Sequence, residues 1–278
     1  MKWSIGAGPR SIDPGLFKGG TEVRFGKTAV VLCDDEFELG RKAATDVASK
    51  IRDLLARQEV VRIIFAAGES QMTFYDGLAV EPNIAWHRIV CFNMDDFYDT
   101  GMPEKYTCGF QTRSQLYDRV QPKEVHLVRY NAADPYEEAR RYEKIMRDAG
   151  EFDILCQGIG TSGHLALNEP FDADFQDEAW VRVVKLAEQS KIQLREDPNF
   201  KALGYIPSMG ITMTLPALLS ARYIFTMVPL ALKRPILEKL FALSSPTVEL
   251  PASILLHFDG TLYIDRNSCP SKLKILCE

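Results

Sequence analysis

Three observations predict an α/β fold, a Rossmann-like open and largely parallel sheet with helices on both faces. Short β-branched runs alternate with amphipathic helical stretches along most of the chain. Several of those runs, such as 60–66 and 88–92, are apolar nearly throughout, as strands buried on both faces are. The connections are long enough to carry a crossover helix, which is how parallel neighbours are joined.

The elements follow in order. Residues 1–21 are rich in Gly and Pro and read as a surface wrap. Residues 22–33 read as an extended pair turning at Gly26-Lys27. Asp34 or Asp35 then caps a helix over 36–58, whose Leu39, Ala43, Val47, Ile51, Leu54 and Leu55 recur at helical spacing. A strand over 60–66, a helix over 70–80 and a strand over 88–92 continue the alternation. A helix over 111–120, a short strand over 124–128 and a charged amphipathic helix over 135–149 come next. Strands over 152–156, 180–186, 210–214 and 223–228 follow, with helices over 215–220, 233–243 and 252–257. Residues 261–264 are expected to close the sheet. No low-complexity linker or internal repeat divides residues 1–278, which read as one domain.

Composition narrows the function. Of 278 residues, 46% are hydrophobic and 26% charged, as in ordinary globular proteins. The net charge of −5 and the lack of a dense Lys/Arg tract exclude the electrostatic footprint of nucleic-acid binding. No apolar run approaches the length of a membrane span, and the first residues lack a signal peptide's apolar core, so a cytoplasmic protein is expected. Cys33, Cys91, Cys108, Cys156, Cys269 and Cys277 form no CxxC and no zinc-spaced grouping, which points to a reducing compartment, no disulfides and no metal.

Ligands in open parallel sheets sit at the carboxyl ends of strands. Three strand ends carry chemistry. In Gly68-Glu69-Ser70, a strand-to-helix turn, free backbone N–H groups and a hydroxyl suit an anion, although a plain turn capped by Ser70 uses the same residues. In Asn93-Met94-Asp95-Asp96, paired acids directly follow a strand. Burial or mutual repulsion turns such a carboxylate into a better base, whereas the bland alternative is a solvated turn or helix cap. In Gly158-Ile159-Gly160-Thr161-Ser162-Gly163-His164, glycines permit a tight backbone path, and Glu169 follows the histidine by five residues. That pairing suits proton transfer near neutral pH, and it also suits a tight turn bearing one solvated His. Lys233, near a helix start, opposes the helix dipole unless an anion lies close, or is simply a surface lysine.

Taken together, these segments resemble the glucosamine-6-phosphate deaminase/isomerase family and its 6-phosphogluconolactonase relatives, from about residue 60 to about residue 265. The strongest anchors are Asn93-Met94-Asp95-Asp96 and the run from Gly158 through Asn168-Glu169-Pro170. The resemblance implies a hexosamine 6-phosphate substrate, isomerisation with release of ammonia, and no cofactor. It casts Asp95 as the base moving a proton between C2 and C1, His164 as the ring-opening group and Glu169 as its carboxylate partner. It casts Gly68, Glu69, Ser70, Lys233 and Arg195, with Lys191 as fallback, at the phosphate, and Asp96, Gly160 and Gly163 against the sugar. It is compatible with a homo-oligomer.

The chain departs from the family pattern at three points. Ser162 replaces a usual Asp, so the imidazolium of His164 is expected to be less stabilised than where both acids are present. Glu69 brings a negative side chain to the phosphate loop, and Phe97 replaces a common Tyr. A divergent member is expected, with a phosphosugar lactone hydrolase and a non-catalytic sugar-phosphate sensor as the competing readings.

Overall fold

The computed structural model describes residues 23–196 and 198–274. Eleven strands alternate with helices along them: β1 (Val23–Phe25), β2 (Thr28–Cys33), α1 (Glu36–Leu55), β3 (Val61–Phe65), α2 (Met72–Val80), β4 (Ile89–Asn93), β5 (Asp95–Tyr98), α3 (Cys108–Thr112), α4 (Asp118–Val120), β6 (Glu124–His126), α5 (Pro135–Ala149), β7 (Ile154–Gln157), β8 (Val181–Lys185), α6 (Glu188–Glu196), α7 (Pro198–Leu203), β9 (Met209–Met213), α8 (Leu215–Leu218), β10 (Tyr223–Val228), α9 (Arg234–Leu240), β11 (Gly260–Asp265) and α10 (Ser271–Lys274).

The main sheet runs β1-β2-β11-β10-β7-β3-β4-β6. Every pairing is parallel except the β1–β2 hairpin. Its strands are apolar because both faces are covered. Ile63 and Phe65 pack with α1 and α2 on one face, and Ile64 packs with Tyr142 and Met146 of α5 on the other. Helix α1 starts where the Asp35 side chain accepts the N–H groups of Phe37 and Glu38. It meets α2 at very short range because Gly40 lies against the backbone of Thr73, where a Cβ would collide. Helix α5 begins at the Asp134 cap with Pro135 in its first turn and ends at Gly150, φ 86°.

The expected elements recur with small shifts at their ends, with two corrections. The strand at 261–264 does not close the sheet: β11 lies inside it, between β2 and β10, because the β1–β2 hairpin adds outside. Asp95-Asp96 is no turn: it opens β5, in a second, antiparallel sheet ordered β5-β9-β8. Helices α6 and α7 were not foreseen, since their sequence is polar and weakly patterned. The expected wrap at 1–21 lies outside the described residues.

The chain proceeds from β3 outward to β4 and β6, then returns to β7 on the other side of β3. The loops after β3 and β7 therefore diverge from neighbouring strand ends, the arrangement that opens a ligand crevice. The two loops touch there: a Cβ on Gly158 would lie 3.0 Å from Ser70 Oγ.

Candidate active site

Asp95 is placed by its neighbours. The Asn93 side chain accepts from Tyr117 Oη at 2.8 Å and donates to Thr112 Oγ1 at 3.0 Å, while its carbonyl accepts from Tyr142 Oη at 2.7 Å. Two residues later Asp95 pairs with Thr212 of β9. Its carboxylate is buried and makes no hydrogen bond to any described residue. Burial pushes the Asp95 carboxyl up to about 7, against the opposing pull of His164, so the imidazole acts on it across the site.

The histidine loop is pinned to the same strand. Asn168 Nδ2 donates to the Leu165 carbonyl at 2.9 Å and to the Met213 carbonyl of β9 at 2.8 Å. The Leu167 N–H donates to Thr212 Oγ1 at 3.1 Å, directly opposite Asp95. The loop turns through Gly163 (φ 87°) and Ala166 (φ 53°), the latter an uncommon conformation for a side chain with a Cβ.

His164 is held through Nδ1, which lies 2.9 Å from Glu169 Oε1 and 2.8 Å from Ser162 Oγ. Ser162 Oγ donates its own proton to Glu169 Oε2 at 2.6 Å. The network therefore assigns the proton of the neutral imidazole to Nδ1, leaving Nε2 as the acceptor. Ser190 Oγ, from α6, donates to Glu169 Oε1. Burial works to raise the Glu169 carboxyl, but the hydrogen bond and charge of His164, with the two serines, more than offset it and hold it below the usual carboxylate range.

Lys233 follows β10 in the short helical turn Ala231–Lys233. Its side chain is buried and forms no ion pair or hydrogen bond with a described residue. Burial brings the Lys233 ammonium down to about 8, with Glu69 acting the other way. A buried cation with no partner among the described residues, within electrostatic reach of Glu69, has a charge that an anion could balance.

Several expected residues serve other ends. Asp96, expected against the sugar, is taken up by backbone: Oδ1 accepts the N–H groups of Phe97 and Cys108 and Oδ2 that of Gly109, so it anchors the start of α3 to β5. Burial pushes its carboxyl up to about 8 against those three donors. Gly160 and Gly163 spend their N–H groups inside the loop, on the carbonyls of His164 and Gly160. Gly160 is needed for space, since a Cβ there would lie 2.0 Å from His164 Nε2. In the loop after β3, Gly68 (φ 112°) gives its N–H to Gln111 Oε1 at 2.9 Å, while Glu69 is exposed. Arg195 is exposed, 3.7 Å from Glu188, and lines a cavity of about 450 Å³ with Lys191 and Lys201. Asp95, His164 and Lys233 are not among the residues lining that cavity.

Sequence reading missed Ser190 and Gln111. The first lies in a polar stretch and the second in an amphipathic one, and nothing local marks either as facing the site.

The profile of the family described as glucosamine-6-phosphate isomerases/6-phosphogluconolactonase matches residues 34–264. Glucosamine-6-phosphate deaminase 1 of Bacillus subtilis (strain 168) is 26% identical over 244 residues, covering 86% of this chain and 97% of the relative. The glucosamine-6-phosphate deaminase of Shouchella clausii (strain KSM-K16) is 30% identical over 224 residues, covering 78% and 86%. Among solved structures, a monomeric glucosamine-6-phosphate deaminase superposes with TM-score 0.75 at 26% identity, covering 86% of this chain and 98% of that one. A 6-phosphogluconolactonase from Thermotoga maritima shares the fold, with TM-score 0.69 at 19% identity and coverage of 86% and 99%. With most of its length matched and its strand-end loops carrying the motifs, the chain belongs to the glucosamine-6-phosphate isomerase/6-phosphogluconolactonase family.

Proposed function

We propose that the protein is an amino-sugar phosphate deaminase/isomerase, converting glucosamine 6-phosphate and water to fructose 6-phosphate and ammonia. The observation that carries this reading is the pair formed by Asp95, a buried carboxylate without a hydrogen bond from any described residue, and His164, whose Nδ1 is tied to Glu169. A C2 proton becomes acidic only beside a free C1 carbonyl, so the ring must open first. His164 Nε2 takes the proton of the C1 hydroxyl and returns it to the ring oxygen as the C1–O bond to that oxygen breaks. The imidazolium formed in between is held by Glu169.

Asp95, with its raised pKa, then takes the C2 proton and delivers it to C1. As the C1 carbonyl oxygen gains a proton and the C2 amine gives one up, C1 becomes a hydroxymethyl group and C2 an imine, which water hydrolyses to the ketose with release of ammonia. The phosphate takes no part in bond changes. Held by Lys233 and the loop at Glu69 and Ser70, the Gly68 N–H being taken by Gln111, it fixes C1 and C2 against the base. A lactone hydrolase would need no base at C2, and Asp95 is what favours deamination over it.

The purified protein supplied with glucosamine 6-phosphate should release ammonia and fructose 6-phosphate in equal amounts, and Asp95→Asn should release both at least about a hundredfold more slowly. Hydrolysis of 6-phosphogluconolactone without ammonia release would move the protein to the lactonase branch. Binding of the amino sugar with neither product would make it a sensor.

A further inference from the structure

We propose that Ser190 is a positioning residue, which locks the Glu169 carboxylate, and through it the His164 ring, to helix α6. This rests on the deaminase/isomerase reading of the same site. Ser190 is buried, and its Oγ donates to Oε1 of Glu169. That oxygen is the one 2.9 Å from His164 Nδ1. The second oxygen, Oε2, is held by Ser162 at 2.6 Å. The carboxylate is thus clamped at both ends by hydroxyls from two separate segments, one in the histidine loop and one in α6. A carboxylate held by one oxygen alone can rotate about its last bond, and the ring it orients turns with it.

Ser190 also shares Oε1 with the imidazole. Each donor to that oxygen lowers its hold on the others, so the serine prevents Glu169 from binding the imidazole proton too tightly. Placement on α6 adds a consequence. Lys191 and Arg195 of the same helix line the neighbouring cavity, so a charge that shifts α6 is felt at the Glu169–His164 pair through a single hydroxyl. The neighbouring residues Leu186 and Phe200 pack with Phe97 of β5, which fixes the helix segment over the strand that bears Asp95.

The test compares Ser190→Ala and Ser190→Thr with the unaltered chain. Ser190→Ala should lower kcat for ammonia release about tenfold, the worth of one hydrogen bond to a charged group, with KM for glucosamine 6-phosphate within about twofold. Ser190→Thr should restore kcat. The downfield Nδ1–H proton signal of His164 should move in Ser190→Ala and return in Ser190→Thr. A raised KM at unchanged kcat, a threonine variant as impaired as alanine, or an unmoved imidazole signal would each overturn the proposal. The NMR signal needs no turnover. A chain that releases no ammonia yet shows the signal shift loses the proposed function and keeps the clamp.

Discussion

Oε1 of Glu169 approaches Nδ1 of His164 to 2.9 Å, and that contact lays the other ring nitrogen, Nε2, on the open face of Gly160. The backbone there has no side chain to fend off the ring. A methyl group at position 160 would lie 2.0 Å from Nε2. The imidazole, a side chain, gives way more readily than the backbone, and the Gly160 φ is not in the left-handed region. Gly160→Ala should therefore cost at least about a hundredfold in kcat with a change in Tm of only a few degrees, since misplaced catalytic groups are penalised steeply. Activity and thermal melts of the same preparation check this, and an active Gly160→Ala enzyme would show that the ring is not held where the structure has it.

Asp95→Asn separates catalysis from stability. It should lower activity by about 10²–10⁴-fold, the usual worth of a general base. It should also stabilise the fold above neutral pH. The folded carboxyl, at about 7, lies above its unfolded value of about 3.9. The fold therefore favours the protonated acid, and stability is lost as pH rises from about 4 through 7, by an amount on the order of 4 kcal/mol. The gain in Tm from Asp95→Asn should be larger at pH 8 than at pH 4. Equal gains at the two values would contradict a desolvated Asp95.

The pH dependence of kcat/KM should be bell-shaped and narrow. The base must be ionised, so the rising limb follows Asp95 at about 7. The phosphate needs a charged Lys233, so the falling limb follows that ammonium at about 8. A bound phosphate favours the charged lysine, and the falling limb of kcat should lie at higher pH than that of kcat/KM. Steady-state kinetics across pH 5 to pH 10, about the reach of common buffers, decide it; a flat profile from 6 to 9 would remove both assignments.

Lys233→Met gives the complementary case. Its ammonium is depressed from about 10.4 to about 8, so the fold resists the charge, and this penalty is present below about 8 and fades as pH rises toward 10. The variant should melt higher than the parent at pH 6 and about equally at pH 10. Its KM for glucosamine 6-phosphate should rise about tenfold or more, while inorganic phosphate should no longer raise its Tm. Retained protection by phosphate would place the anion elsewhere.

Most of the main sheet was legible in the chain. Uninterrupted apolar runs such as that of β3, and helical spacing such as that of α1, are local signals that burial on both faces imposes. His164, Glu169 and Asp95 stood out as candidates in the chain, because glycines and paired acids at strand ends leave a compact signature, and the structure brings His164 and Glu169 into contact. The second sheet was legible only in part: the strands at 180–186 and 210–214 were expected, but neither β5 nor the antiparallel pairing of the three was. Strand β5 has four residues and starts with two aspartates, a pattern with no apolar alternation, and only pairing with β9, over a hundred residues later, makes it a strand.

The sequence by itself determined the layered architecture and the chemical types present at the strand ends, since both follow from side chains near one another in the chain. Tertiary structure alone decided how two adjacent aspartates are used: Asp96 satisfies three backbone N–H groups, and Asp95 has no hydrogen-bond partner among the described residues. It also decided that Ser190 reaches Glu169 and that Gln111 occupies the Gly68 amide. The physical reason is common to all three: a hydrogen bond between distant segments depends on where the backbone carries them, and single residues give no periodic signal of it.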